Sequence, residues 1–294
     1  MFPVKYPVPQ TEPPPPPREA LPTMYDLPSE NSEEPGLPDE FHGLQAQFLS
    51  SVFRPPNYPL SQVFSTGYMN LYYDVRHPQW YKRPDWFGVV GVSRLYDEVD
   101  MRLSYVVWQE GVNPFVIVEF LSPGTEKEDL GKNQDKSESD ASENLTDNGQ
   151  VIEAKSDVNP PRKWEVYEKI LRIPYYVVFS RYTNQLRVFK LTGGRYQEIT
   201  LQESRLWIPE LALGLGLWQG EYQGVERLWL RWYDFQGNWI PTEAEEALQL
   251  VSLERQRADD ERQRADDAES RLESLMQRLR ESGINPHDFF NNQS

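Results

Sequence analysis

Val116-Ile117-Val118-Glu119-Phe120-Leu121 is an apolar run broken by a single carboxylate, and it decides the fold together with WFGVVGV at residues 86–92. Near-continuous apolar runs of this length are typical of strands that are covered on both faces. A buried, unpaired ion costs several kcal/mol. Glu119 is therefore either matched by a cation, a partner or a proton, or it lies at the strand's end and faces solvent.

Asp85 follows Pro84 and directly precedes the other apolar strand. Its carboxylate can therefore lie at a strand end beside Glu119. Two carboxylates that converge at one end of a sheet form a hard-oxygen site suited to Mg²⁺. Such an ion can activate a water and stabilise a phosphodiester transition state. Alternatively, Pro84-Asp85 is only a turn.

The remaining pattern predicts an α/β (α+β) fold, a mixed sheet flanked by helices. A helix is expected over residues 39–53 and another over 163–172, where Pro174 stops it. Strands are expected over 63–73 and 175–180, and a hairpin then continues to residue 200. Residues 95–108 favour a loop plus an edge strand. The main domain is placed at 39–200.

Two segments cannot build a core. Residues 1–38 hold 12 of the 25 prolines and predict a disordered arm, which either docks a partner or is only a solvated tail. Residues 131–162 are polar, mostly acidic and almost free of aromatic side chains, so they predict an unstructured surface insertion.

The C-terminal third divides again. Residues 201–242 carry five tryptophans and predict a β extension with glycine turns, whose indoles either form its core or stack on nucleic-acid bases. Residues 243–283 predict a coiled-coil helix ended by Gly283, with a tail at 284–294. One seam reads Val251, Ala258, Ala265, Leu272 and Leu279. Self-association through this helix is expected, a solvated single helix being the alternative.

Composition sets limits on function. The formal net charge of −16 argues against a protein that coats nucleic acid, although much of the acid lies outside the predicted core. Without cysteine, disulfides and thiolate metal sites are excluded. There is no run of about 18 apolar residues and no signal-like start, so no membrane partner is expected and a cytoplasmic location is predicted.

Three segments carry a family resemblance: RPDWFGVVGV (83–92), VIVEFLSPGTEKEDLG (116–131) and RKWEVYEKILRIPYYVVFSR (162–181). From about residue 37 to 200 the chain resembles the Uma2 (DUF820) family of restriction endonucleases, which belongs to the PD-(D/E)XK nuclease superfamily. In that pattern Pro84-Asp85 matches the PD element and Glu119 the acidic residue of (D/E)XK. Ser122-Pro123 matches the family's Ser-Pro after it.

The resemblance implies a restriction-endonuclease-like core and a metal-dependent endodeoxyribonuclease acting on DNA, with Mg²⁺ or Mn²⁺. Asp85, Glu119 and the Phe120 carbonyl would hold the metal. The superfamily's usual lysine would fall at Leu121. The family pattern moves it to the following helix, four residues before a tyrosine, where Lys163 precedes Tyr167. Lys163 is thus the candidate amine that assists the attacking water.

Other interpretations stay open. Glu40 in the first helix could add a further carboxylate, or could be ordinary negative charge in a first helical turn. With histidines only at 42, 77 and 287, no His-rich metal site is expected. The chief alternative is that the protein has the same fold but is a non-catalytic, oligomeric interaction protein. The net negative charge of the chain favours this alternative. A carboxylate-pair glycosidase is a third possibility.

Overall fold

A six-stranded mixed sheet forms the centre of the protein, in the order β1-β4-β6-β7-β8-β9. Its neighbours are antiparallel except β6 and β7, which run parallel. The computed structural model describes residues 39–122, 129–131 and 160–283. The predicted arm 1–38, the tail 284–294 and most of the predicted insertion lie outside these residues.

The elements of the described chain are as follows. Strands are β1 (Val63–Thr66), β2 (Leu71–Tyr72), β3 (Tyr81–Lys82), β4 (Trp86–Val90), β5 (Tyr105–Val106), β6 (Val116–Leu121), β7 (Tyr175–Ser180), β8 (Gln185–Thr192), β9 (Arg195–Glu198), β10 (Arg205–Ile208), β11 (Leu213–Tyr222) and β12 (Val225–Tyr233). Helices are α1 (Glu40–Ser51), α2 (Val107–Glu110), α3 (Lys163–Glu165, continued by a wider π-helical turn over Val166–Ile170) and α4 (Glu243–Glu281), with a single 3₁₀ turn at Leu60–Gln62. The predicted mixed α+β architecture is confirmed.

Each face of the central sheet has its own buried cluster. Because side chains alternate along a strand, Val116, Val118 and Phe120 of β6 lie on one face. There they meet α1 and the sheet β10-β11-β12. Ile117 lies on the other face, against the residues of α3 and the small sheet β3-β2-β5. The strand is thus covered on both sides, as its apolar run predicts.

The predicted single strand over 63–73 is wrong. The structure has β1 and β2 instead, separated by four residues, and they belong to different sheets. A β carbon on Gly67 would lie 2.6 Å from the Ala46 Cβ and 2.8 Å from the Asp85 carbonyl oxygen. Tyr68 has a positive φ of 56°. Tertiary contacts therefore override a sequence that favours strand throughout.

The tryptophan-rich segment forms the antiparallel sheet β10-β11-β12. Trp229 and Trp232 are buried in the same cluster as α1 and the central sheet, so these two indoles cannot stack on bases in this conformation. The amide of Gln45 in α1 donates to the Leu230 carbonyl at 2.9 Å and accepts from the Leu230 N–H at 2.8 Å. The main hairpin turns at Gln223-Gly224, both with positive φ. A second glycine turn, at FQGN (235–238), follows β12.

The chain divides into two units, one ending at Ile240 and one starting at Pro241. The second unit contains α4, which begins at a capping box made by Thr242 and Glu245. Gly283, with φ 76°, follows its last turn, as predicted. No residue of α4 is buried. Among the described residues, no helix combines the length and the apolarity that crossing a membrane requires.

Candidate active site

The two predicted carboxylates meet at one end of the central sheet. Glu119 lies near the end of β6, and Asp85 directly precedes β4, which runs antiparallel to β6. Each carboxylate accepts a hydrogen bond from a backbone N–H at or next to the other acid. Glu119 Oε2 accepts from the Asp85 N–H at 3.3 Å, and Asp85 Oδ2 accepts from the Phe120 N–H at 2.6 Å. The pairing of the two strands therefore holds the two acids side by side. Pro84-Asp85 is thus more than a turn, because Asp85 contacts the backbone next to Glu119.

Glu119 is fully buried, with an exposed fraction of 0%. Its Oε2 accepts from Lys163 Nζ at 3.0 Å and its Oε1 from the Tyr167 hydroxyl at 2.9 Å. Burial raises the pKa of Glu119 well above its ordinary value, and the charge of Lys163 opposes that rise while the charge of Asp85 adds to it. The solvent-facing alternative is wrong, because the carboxylate is held inside by a cation and a hydroxyl.

The first turns of α3 explain how Lys163 and Tyr167 reach the same group. Residues four apart lie on one face of a helix, so both side chains can point to Glu119. The helix widens at Val166, and Tyr167 is buried within the π-helical turn. Such turns are frequent at functional sites. Lys163 Nζ also lies 3.0 Å from Asp129 Oδ1, so one ammonium bridges two buried carboxylates.

A second polar group lies on the α1 side of the same sheet end. His42 is buried, and its Nδ1 lies 2.7 Å from Asp39 Oδ1. Asp39 is the N-cap of α1 and also pairs with the Arg181 guanidinium. Although burial opposes the charged form, the hydrogen bond to Asp39 and the charge of Asp85 raise the pKa of His42. The Phe120 backbone raises the pKa of His42 further.

Of the other two predicted site residues, Glu40 lies apart from the two acids and Phe120 contacts Asp85 through its backbone. Glu40 is exposed in the first turn of α1, and no hydrogen bond or ion pair among the described residues links it to the two acids. Phe120 contributes its backbone N–H to Asp85 Oδ2 at 2.6 Å, and its backbone also raises the pKa of His42. A carbonyl oxygen has two lone pairs, so one accepted hydrogen bond would leave it able to bind a metal.

Sequence reasoning missed Asp129, His42 and Tyr68. Asp129 ends the segment 126–129, in which three of the four residues are acidic, and nothing in the sequence distinguishes it from the other two. His42 is buried three residues after Asp39, which caps α1 by accepting the His42 N–H at 3.0 Å. The available signal was Asp39 at the start of the predicted helix. Tyr68 was hidden inside the predicted strand 63–73.

The oxygen ligands available at this site suit Mg²⁺ better than a metal that must be enclosed by many protein ligands. No cluster of three or more His, Cys, Asp and Glu arranged for an ion occurs within residues 39–122, 129–131 and 160–283. Mg²⁺ usually keeps several waters and needs only one or two protein carboxylates, whereas Ca²⁺ takes six to eight oxygens. Asp85 is half-buried, so one acid of the pair remains open to solvent. The two acids and the Phe120 carbonyl fit that requirement.

Comparison with known proteins supplies one match. Residues 19–226 match the family model Uma2, described as "Putative restriction endonuclease". The matched span includes Asp85, Glu119 and Lys163, as well as the strands β10 and β11. No curated protein matches the chain.

Proposed function

Because the chain belongs to the Uma2 family, whose description is that of a restriction endonuclease, we propose that it hydrolyses DNA phosphodiester bonds with Mg²⁺ or Mn²⁺. One observation carries the proposal. The buried Glu119 carboxylate lies beside Asp85 and accepts from Lys163, although each of these charges is costly to bury. A core that needed only stability would gain by apolar residues here.

The residues would divide the reaction between them. Asp85, Glu119 and the Phe120 carbonyl would hold the metal, which neutralises charge on the phosphoryl group and helps to deprotonate the attacking water. Lys163 would orient that water and stabilise the charge that develops on the phosphoryl oxygens. The water oxygen forms a new P–O bond as one P–O ester bond breaks, and the leaving ester oxygen takes up a proton from solvent in place of the one that the water releases. Tyr167 holds Glu119 from the opposite side and so fixes its direction.

Local cations can serve DNA binding in a chain that is acidic overall. Arg181 follows β7 directly and pairs with Asp39. Arg227 lies with its guanidinium 4.1 Å from the Phe41 ring centre, and Arg181 lies 5.6 Å from the same centre. Burial and the nearby charge of Arg181 lower the pKa of Arg227. Two guanidiniums at this sheet end can contact backbone phosphates, which contribute much of the affinity for DNA.

We also propose that α4 associates copies of the chain. Its seam residues Val251 and Leu272 are 62% and 50% exposed, and Leu275, three residues after Leu272, is 56% exposed. A repeat of seven with apolar residues at these positions buries them only when a second helix covers them. Light scattering on a truncated chain tests this, as described in the Discussion.

The test of the nuclease compares two changes in the site with a buried control. Glu119→Gln keeps the shape and removes the charge that binds the metal, so calorimetric Mg²⁺ or Mn²⁺ binding and plasmid nicking should be lost together. Lys163→Ala keeps both metal ligands, so binding should remain while nicking slows about 10²–10³-fold. Glu168→Gln removes another buried carboxylate, which accepts from the Tyr196 N–H at 2.9 Å, and both properties should persist.

Two results would contradict the proposal. If the wild-type protein neither binds metal in the calorimeter nor cleaves single- or double-stranded DNA, the fold serves a non-catalytic interaction role. If Glu119→Gln and Glu168→Gln lower cleavage equally, the loss reflects general damage to the core and the assignment of Glu119 fails.

A further inference from the structure

Tyr68 lies beside the candidate metal carboxylates, although it comes from the bend between β1 and β2. Strand β1 ends at Thr66, whose partner across the sheet is Phe87 of β4. Two residues later the Tyr68 N–H donates to the Pro84 carbonyl at 3.1 Å. Because Asp85 follows Pro84, this hydrogen bond places the Tyr68 backbone next to the first of the two acids.

Packing holds this segment in an unfavourable backbone conformation. Tyr68 has φ 56°, and among the described residues it is the only aromatic with a positive φ. Bulky side chains rarely adopt that region, and such strain clusters at functional sites. Gly67, immediately before it, fits between Ala46 and the Asp85 carbonyl, where a β carbon would have only 2.6 and 2.8 Å. The backbone at Gly67 and Tyr68 therefore packs closely against Asp85, and this is also where it has an unfavourable conformation.

The Tyr68 hydroxyl is buried and has no hydrogen-bond partner in the part of the chain that the structure describes. Leaving a buried hydroxyl without a partner costs free energy, so most such groups find one. The ring packs against the cluster that contains Phe41 and Phe120. Burial raises the pKa of the hydroxyl, and the negative charges of Asp85 and Glu119 raise it further. The group therefore keeps its proton and can serve as a donor.

We propose that Tyr68 is a further catalytic residue, whose hydroxyl donates a hydrogen bond to a nonbridging oxygen of the phosphodiester being cleaved. The inference rests on the proposed nuclease function, because that reaction brings an anionic oxygen to the two acids. Tyr68 does not take up or release a proton in the step. Its donor stabilises the negative charge that gathers on the phosphoryl oxygens, from the side opposite Lys163 and Tyr167, since its ring packs with the α1-side cluster.

Tyr73 offers a matched control. Its hydroxyl is also buried without a hydrogen-bond partner among the described residues, and burial with the charge of Asp74 raises its pKa to about 12. Its ring belongs to the cluster on the opposite face of the sheet. Tyr68→Phe and Tyr73→Phe thus each delete one unpartnered hydroxyl and leave the aromatic ring, but only the first deletion touches the site.

The experiment uses the full chain and one labelled oligonucleotide. With Mg²⁺, Tyr68→Phe should lower kcat/KM about tenfold to a hundredfold, mainly through kcat, since the lost donor acts on developing charge. With Ca²⁺ in place of Mg²⁺, fluorescence anisotropy should show the Kd for the oligonucleotide raised about threefold to tenfold. Tyr73→Phe should change neither. The Tm of both metal-free variants should equal or exceed that of the wild type.

The outcomes separate this inference from the nuclease proposal. If the wild type cleaves and Tyr68→Phe cleaves and binds equally well, the Tyr68 hydroxyl has no role in catalysis and the nuclease proposal stands. If the Tm of Tyr68→Phe falls by more than that of Tyr73→Phe, the hydroxyl is structural and the inference is overturned. If the wild type does not cleave with Mg²⁺ or Mn²⁺, the nuclease proposal fails and Tyr68 loses its role with it.

Discussion

The buried end of the central sheet and the helix α4 handle charge in opposite ways. At the sheet end, Lys163 joins Glu119 across 44 residues of sequence, and the Glu119 side chain is 0% exposed. In α4, 39 residues long, no residue is buried and the polar contacts are local, such as Gln263 to Asp267 and Gln277 to Glu281, each four residues apart. Solvated charges of the second kind cost little to keep and contribute little.

The difference separates charges that a fold keeps for solubility from charges that it keeps at a cost. A buried ion pair is weak evidence for stability, because desolvation can exceed the attraction between the partners. Perturbed carboxylates with specific partners at the end of a sheet are instead candidates for function. By that criterion Glu119 stands out.

The largest expected loss of stability comes from Lys163→Ala in α3, and Lys169→Ala in the same helix allows a direct comparison of a buried with an exposed ion pair. Lys163→Ala leaves Glu119 and Asp129 without the ammonium that bridges them, and breaking a buried pair costs about 3–5 kcal/mol. Lys169→Ala breaks the exposed pair with Glu165, whose side chains are 50% and 48% exposed, and should cost about 0.5 kcal/mol or less. Urea unfolding of both metal-free variants at neutral pH measures the two free energies. Equal losses would show that burial does not distinguish the pairs.

A smaller effect of opposite sign is expected for Glu119→Gln. Burial raises the folded-state pKa of Glu119 above its ordinary value, so its contribution to stability is present at low pH and is lost as pH rises through the folded-state value. The neutral amide avoids that loss, and Lys163 is not left unpaired, because its ammonium keeps Asp129 as a partner at 3.0 Å. In metal-free buffer the Tm of Glu119→Gln should exceed that of the wild type by a few degrees near pH 8, and the gap should close below about pH 4.

Scanning calorimetry of the wild type and Glu119→Gln at several pH values measures this difference in Tm. Addition of Mg²⁺ should raise the Tm of the wild type alone, because the variant lacks the second carboxylate. A variant that is less stable than the wild type at pH 8 would contradict the assigned cost of the buried charge.

The smallest effect on stability is expected at α4. Truncation after Thr242 removes no buried residue among those that the structure describes, so the main unfolding transition of the remaining chain should shift by less than about 0.5 kcal/mol. Mass from light scattering should nevertheless fall to that of a smaller assembly, because the heptads are lost. An unchanged number of copies would leave α4 as a solvated helix, and a large drop in stability would mean that its exposed face is covered in solution.

The sequence predicted the strands and the acids at their ends, since those follow from local pattern. Residues 175–180 were predicted as a strand and form β7 with the same bounds. Glu119 and Asp85 were predicted to lie side by side at the end of the sheet, and the spacing of Lys163 and Tyr167 came from the family resemblance. These features depend on side-chain alternation and helical periodicity, which can be seen within a short window of sequence.

The features that the sequence did not predict depend on contacts between distant segments. Gly67 breaks the predicted strand 63–73 because Ala46 and the Asp85 carbonyl leave no room for a side chain. Asp129 joins the site only because Lys163, 34 residues later in the sequence, reaches it. Neither fact has a local signature. The family resemblance supplied what periodicity could not, but only for residues that the family motif includes.

The bond between Gln45 and Leu230 has a consequence for how the protein is made. The two residues are 185 positions apart, so α1, which carries His42 beside Asp85, cannot be tied to its neighbouring layer until residue 230 has left the ribosome. Domains form during synthesis from the N-terminus onward. A growing chain that has reached residue 200 already contains both acids and Lys163, but still lacks the layer that buries α1. The end of the sheet that carries the two acids should therefore be completed only after residue 230 has emerged.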